Sequence, residues 1–202
     1  MSNLGALISG DRINLDRLSF LLIDDNMQAL DILGQVVSGF GVRGMHKCQT
    51  VREAKEIAAR QEIDFVITDV RMPGEDGFAF MKWLRLVATE PNRHAPAVMV
   101  TGDTSSAVVR QARDCGAHFI IAKPITPKVL LQRIFWIARE NRLFIDCESY
   151  KGPDRRFKRL GPPPGTTGRR ADDRSVKLRD TGGPNLSQDE ISALMKPSKV
   201  NL

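Results

Sequence analysis

Cysteine is scarce in this sequence: Cys48, Cys115 and Cys147 are the only three, widely spaced and without a CxxC pair. An odd, scattered set gives neither a disulfide framework nor a zinc site, so the thiols are expected to be reduced and the protein cytoplasmic. Long apolar runs are missing too. None approaches the roughly 18 residues of a membrane span, which excludes membrane insertion. The opening MSNLGALISGDR lacks the basic-then-apolar order of a signal peptide. The three histidines, His46, His94 and His118, share no spacing. His94 sits in the proline-bracketed EPNRHAP, a poor setting for phosphotransfer, and all three are expected to be ordinary surface or strand residues.

With 42% apolar residues in 202, the chain can bury one good core and have some length to spare. Its charge excess is local. Of 30 Lys+Arg and 24 Asp+Glu, residues 151–202 hold 12 and 6, leaving 18 and 18 in residues 1–150, so the whole +6 belongs to the tail.

From Phe20 onward short apolar runs alternate with longer amphipathic ones. FLLI (20–23), GVRGM (41–45), DFVIT (64–68), AVMV (97–100) and HFIIA (118–122) read as strands. Helical periodicity follows each, around 27–39, 51–60, 75–88, 104–115 and 127–139. Continuous apolar strands between helices predict a parallel sheet covered on both faces, so the fold class is α/β, one doubly wound five-stranded sheet. Past Glu148 the texture changes to KGPDRRFKRLGPPPGTTGRRADDR, too rich in Gly, Pro and Arg to bury the surface that ordering requires. The division expected is an N-terminal extension at 1–18, a folded domain at 19–142, a basic linker at 143–185 and a short amphipathic helix at 186–196.

Open α/β sheets place their sites at the carboxyl ends of strands. There the sequence runs out into Asp24 and Asp25, Asp69, Thr101, and Lys123 followed by Pro124. Taken singly, each residue could merely cap an element: Asp25 or Asn26 a helix, Thr101 a turn. Taken together, three carboxylates, a hydroxyl and an ammonium converge on one rim. Converging carboxylates repel unless a cation sits among them, and Mg²⁺ suits such a set because it takes a few carboxylates with waters and phosphate oxygens.

LLIDDN, ITDVRMPGEDGF, MVTGD and IIAKP resemble, in order and spacing, the receiver domain of two-component response regulators, over residues 19 to about 140. The resemblance implies a flavodoxin-like sheet of order 2-1-3-4-5, the order that chemotaxis receivers share. It implies that Asp69 accepts a phosphoryl group from a sensor histidine kinase or phosphotransfer protein. It further implies that Asp24, Asp25, Asp69 and the main-chain carbonyl of Arg71 hold Mg²⁺, while Lys123 and Thr101 contact the phosphoryl oxygens. Such a protein is a signalling switch rather than an enzyme. Three positions are unusual. Ile120 stands three before the lysine, where the family often has an aromatic, and Arg71 and Asp103 place opposite charges on loops that flank the acceptor, where a pair would shield the phosphoryl group.

After residue 140 the expectation is that no room remains for a folded DNA-binding or enzymatic output module, so the output is a contact. The arginines of the tail admit three meanings. They are a solvated linker; or a weak attraction to nucleic acid or an acidic protein face, with only Phe157 for base stacking; or a nucleotide site, since Arg155 and Arg159 resemble the first arginine motif of cyclic di-GMP-binding PilZ domains and DRS at 173–175 part of the second. Against the last, Leu178 stands where that motif has glycine.

LSQDEISALM at 186–195 carries a complete helix-start signal. Ser187 and Glu190 form a capping box, Leu186 and Ile191 a hydrophobic staple, and Ile191, Leu194 and Met195 one apolar face. An isolated helix this short is marginal in water and needs a surface. It resembles the N-terminal peptide of the flagellar motor switch protein, which docks the phosphorylated chemotaxis regulator. The partners implied are the motor switch or another receiver, with docking in cis or in trans. The function expected is a phosphorylation-dependent response regulator in chemotaxis or flagellar control. The alternative is a phosphate relay or sink whose tail is inert or nucleotide-sensing.

Overall fold

A computed structural model describes the backbone of residues 8–9 and 12–13 and, in full, residues 14–139, 143–147, 149–155, 187–189 and 191. Two short strands, β1 (Ile8–Ser9) and β2 (Arg12–Ile13), form an antiparallel pair inside the N-terminal extension. The main sheet comprises β3 (Ser19–Ile23), β4 (Gly44–Cys48), β5 (Phe65–Asp69), β6 (Ala97–Thr101) and β7 (Phe119–Ala122). These strands are parallel, in the spatial order β4-β3-β5-β6-β7, which is 2-1-3-4-5 counted from the first strand of this sheet. The doubly wound, flavodoxin-like architecture is therefore the one expected from sequence.

Five helices cover the sheet: α1 (Met27–Gly39), α2 (Val51–Ala58), α3 (Gly77–Leu86), α4 (Ser106–Asp114) and α5 (Pro127–Arg139). The starts of α1, α2 and α3 are fixed by side chains that satisfy the free N–H groups of a first turn. Asn26 Oδ1 accepts from the backbone of Gln28 and Ala29, Thr50 Oγ1 from Glu53 and Asp76 Oδ1 from Ala79. Two apolar cores result, one on each face of the sheet. On one face Leu30, Leu33 and Val37 of α1 and Leu130, Ile134 and Ile137 of α5 cover Phe20, Leu22, Ile67, Val98 and Val100. On the other, α2, α3 and α4 cover Leu21, Ile23, Val66 and Met99.

The second strand lies later than its apolar run implied, at Gly44–Cys48 rather than 41–45. Gly41 has a φ of 94° and its N–H donates to Ser38 O, so residues 40–43 end α1 instead of opening the strand.

A second difference lies within the stretch read as basic linker. Residues Phe144–Cys147 and Tyr150–Pro153 form an antiparallel hairpin, β8 and β9, in register Phe144↔Pro153 and Cys147↔Tyr150. Its anchor is Arg85 on α3, which is 1% exposed. The guanidinium donates to Arg93 O at 2.6 Å, Ala95 O at 2.9 Å and Gly116 O at 3.1 Å, and lies 5.5 Å from the Phe144 ring centre. Burial pulls its pKa down to about 10, far enough above neutrality for the charge to persist. Gly116 and Gly152 allow the close approach: a Cβ on Gly152 would come within 2.7 Å of Gly116 Cα. The hairpin is thus packed on the turn between α4 and β7. Arg155 closes it, donating to Asp114 Oδ1 at 2.7 Å and lying 4.0 Å above the Tyr150 ring. Arg159 and residues 173–175 lie outside the described residues.

Beyond the hairpin the chain returns at Ser187. Residues 188, 189 and 191 are helical, the Ile191 N–H donates to Ser187 O at 2.9 Å, and Ile191 is fully buried in the core that contains Ile120, Val108 and Val109. Leu186, Glu190, Leu194 and Met195, the other members of that helix signal, lie outside the described residues. Among the described residues no helix is long and apolar enough to cross a membrane.

Candidate functional site

The carboxyl edge of the parallel sheet gathers what the sequence spreads over about a hundred positions. Asp24 and Asp25 follow β3, Asp69 ends β5, Thr101 ends β6 and Lys123 follows β7. Lys123 Nζ donates to Asp24 Oδ2 at 2.9 Å and to Asp69 Oδ2 at 2.8 Å. Each of these two carboxylates turns its other oxygen to a backbone N–H, Asp24 Oδ1 to Asn26 at 2.9 Å and Asp69 Oδ1 to Val70 at 2.7 Å. Both Oδ2 atoms are therefore presented to a cation. Asn26, not Asp25, caps α1. That leaves the exposed Asp25 carboxylate for the same cluster, in which one oxygen from each of the three aspartates lies within 4.8 Å of the others.

Like charges at that separation repel by about 3.5 kcal/mol per pair at an effective dielectric of about 20. One ammonium cannot offset three carboxylates, and the sum of −3 and +1 leaves −2, the charge a divalent cation would match. The pKa directions agree. Burial pushes the Asp69 carboxyl up, the Lys123 hydrogen bond and charge work against this and Asp24 reinforces it, leaving the group raised. Burial works to lower the Lys123 ammonium, but hydrogen bonds to Asp24 and Asp69 outweigh it and hold it above its ordinary value. With oxygen ligands only, in a set of three, the residues present fit Mg²⁺.

Close packing behind Asp69 is strict. A Cβ on Gly77 would stand 2.0 Å from Asp69 O, so only glycine lets α3 begin against the end of β5.

One side chain expected at the site, that of Thr101, is engaged within its own loop. The buried Thr101 hydroxyl accepts from the Asp103 N–H at 3.0 Å and donates to Asp103 O at 3.2 Å. Arg71 Nη2 donates to Asp103 Oδ2 at 3.0 Å. Asp103 also accepts from the Ser105 N–H, and these bonds hold its carboxyl below its ordinary value, the Ser105 backbone bond contributing most. The pair expected from the opposite charges of Arg71 and Asp103 is formed, and it spans the two loops on either side of Asp69. Beside the cluster lies a cleft of about 500 Å³, lined by Ala29, Ile32, Val36, Val100, Ile125 and Lys123 among others.

Residues 20–135, more than half of the chain, match the family described as response regulator receiver domain. The chain belongs to that family. Among curated relatives, chemotaxis protein CheY-3 of Vibrio cholerae is 26% identical over 117 residues, covering 58% of this chain and 88% of its own length. The sensory/regulatory protein RpfC of Xanthomonas campestris is 27% identical over 134 residues, which are 65% of this chain but 18% of that protein. The chain thus spans less than a fifth of RpfC and, at 47%, about half of the regulator GltR of Pseudomonas aeruginosa. Among solved structures, CheY4 of Vibrio cholerae superposes with a TM-score of 0.54 at 26% identity, covering 58% of this chain and 96% of that one. A response regulator from Chloroflexus aurantiacus gives 0.56 at 26% identity, over 61% and 100%.

Within this receiver the sequence reading missed two residues that matter to the architecture. Arg85 carried no signal, since an arginine on an amphipathic helix normally faces water. Gln188 sat inside a recognised motif, but nothing in the motif said that its amide meets the sheet.

Proposed function

We propose that the chain is a phosphorylation-dependent response regulator in which Asp69 accepts a phosphoryl group from a histidine kinase or phosphotransfer protein. The observation that carries this is the position of Asp69 Oδ2, 2.8 Å from Lys123 Nζ and inside the three-carboxylate cluster. In the reaction an Asp69 carboxylate oxygen forms a bond to phosphorus as the bond from phosphorus to the donor's imidazole nitrogen breaks, and the imidazole leaves. Charge then develops on the transferred oxygens, and a fixed donor aimed at them is worth most in a partly buried site. Lys123 is that donor. Asp24, Asp25, Asp69 and the Arg71 carbonyl would hold Mg²⁺, which when bound supplies the remaining charge neutralisation. The exposed Met27 and Ile32 of α1, the latter lining the cleft, offer a donor protein an apolar surface on the helix that follows Asp24 and Asp25.

The product carries nearly two negative charges and new acceptor oxygens. Thr101 then exchanges its bonds to Asp103 for one to the phosphoryl group, drawing its loop inward, and the covalent event reaches the surface formed by β6, α4 and β7. A role in chemotaxis or flagellar control rests on the chemotaxis relatives and on the LSQDEISALM motif. Incubation with acetyl phosphate and Mg²⁺ tests the acceptor: the wild type should be labelled, and neither EDTA-treated protein nor Asp69→Ala should be.

The Arg71 to Asp103 pair covers the side from which hydrolytic water reaches the phosphoryl group. An exposed pair of this kind contributes roughly 1 kcal/mol or less, so Arg71→Ala should dephosphorylate severalfold faster. An unchanged half-life of the acyl phosphate would remove the shielding role.

A further inference from the structure

Beta strand β7 is an edge of the main sheet, and edges with free backbone groups invite pairing with another chain. Here the edge is met by a side chain. The Ala122 N–H donates to Gln188 Oε1 at 2.6 Å, and Gln188 Nε2 donates to Ile120 O at 3.4 Å. The glutamine amide thus offers the strand one acceptor and one donor, as the backbone of a further strand would. One turn on, Ile191 is fully buried with Val108, Val109, Ala112 and Ile120. Between them, the Asp189 carboxylate is close enough to raise the pKa of Arg133 on α5, against the larger lowering effect of that arginine's burial. Two kinds of contact, amide to backbone and isoleucine to core, meet here, with the attraction between Asp189 and Arg133 beside them.

We propose that Ser187–Ile191 is a tethered plug on the β7 edge. In cis it closes a docking site for a helical peptide of a partner protein that presents a glutamine and, three residues later, an isoleucine. Two features indicate a docking site rather than a permanent part of the core. The Gln188 amide reads only main-chain atoms of Ile120 and Ala122, so any peptide with the same two side chains at the same spacing satisfies the site. The plug also lies 32 residues beyond Arg155 in sequence and supplies no strand to the main sheet, so it can leave without breaking the sheet. Its anchor lies where occupancy would be felt at the acceptor: Ala122 is in register with Thr101, and the next residue, Lys123, donates its N–H to Thr101 O at 2.8 Å. The cis contact does not depend on phosphorylation of Asp69, so its failure would leave the acceptor assignment standing.

The test uses the full-length chain and a fluorescent synthetic peptide of sequence LSQDEISALM as ligand, with binding read by anisotropy. A tethered plug at an effective concentration of about 1 mM, competing with a peptide of about 0.1 mM intrinsic affinity, weakens binding about tenfold. The wild type should therefore bind the peptide about tenfold more weakly than Ile191→Asp, with Gln188→Ala in between. Circular dichroism melts establish that both variants keep the folded body. Equal affinity for all three proteins, or binding to none, overturns the proposal. Peptide affinity of the wild type that rises on dilution of the protein would assign the segment to a second copy and overturn the cis plug.

Discussion

Replacing Lys123 with methionine is expected to slow phosphorylation of Asp69 by about a hundredfold or more, the cost typical of losing one fixed donor to developing oxyanion charge. The same change should leave Mg²⁺ bound as well as before or better. Both effects follow from the place of the ammonium, 2.9 Å from Asp24 and 2.8 Å from Asp69. Without the ion it is the cation that holds these carboxylates together, and with it the ammonium must turn to the phosphoryl oxygens. Methionine keeps the apolar length of the stem but provides neither charge nor hydrogen. In EDTA the variant should melt lower than the wild type, because two largely buried carboxylates lose their shared partner, and added Mg²⁺ should raise its Tm by more than it raises that of the wild type. Unchanged acetyl phosphate labelling would show that Lys123 neutralises the resting cluster and takes no part in transfer.

Arg85→Met should lose about 3–5 kcal/mol of stability, the range found when a buried charged network is broken. The guanidinium reaches three carbonyls on two separate segments and carries Phe144 on its face. Methionine fills part of the volume but leaves Arg93 O, Ala95 O and Gly116 O without that donor, and unpaired buried acceptors are costly. For a chain of this size the loss corresponds to a fall in Tm of roughly 6–20 °C. Arg85→Lys should restore little, since one ammonium cannot match a planar fork that donates in three directions. The hairpin β8–β9 should become the first site of proteolysis in both variants, and a hairpin still protected in Arg85→Met would mean that the glycine contact and Arg155 suffice to hold it.

The sheet was legible because its strands are buried on both faces, so that FLLI, DFVIT, AVMV and FIIA stand out as unbroken apolar runs. The exception is informative. Strand β4 is an edge strand with mostly half-buried residues, its apolar signal is weak, and Val42, the most apolar residue nearby, belongs to the loop that ends α1. The site was legible for a different reason: polar residues at strand ends are conspicuous after apolar runs, and the fold brings them together whatever their distance in sequence, as with Asp24 and Lys123, 99 residues apart. What could not be read was any contact made by a side chain against its usual habit. Arg85 is a buried charge that main-chain carbonyls stabilise, and no sequence pattern announces three carbonyls. The hairpin hid in a stretch whose Gly and Pro suggested a linker, although Gly152 is there because the chain passes against Gly116.

The direction in which Thr101 faces was not legible either. Its hydroxyl is engaged with Asp103, a local bond of the kind short polar side chains make readily. On the proposed function, phosphorylation must displace that bond before Thr101 can report it.

The proposed switch depends above all on Asp69 being the residue that takes the phosphoryl group. Acetyl phosphate and Mg²⁺, followed by borohydride reduction and peptide mapping, convert an aspartyl phosphate to homoserine at the position that carried it. Homoserine at position 69 alone is the expected result. Homoserine at Asp24 or Asp25, or none at position 69 in protein that has taken up phosphate, would contradict the account.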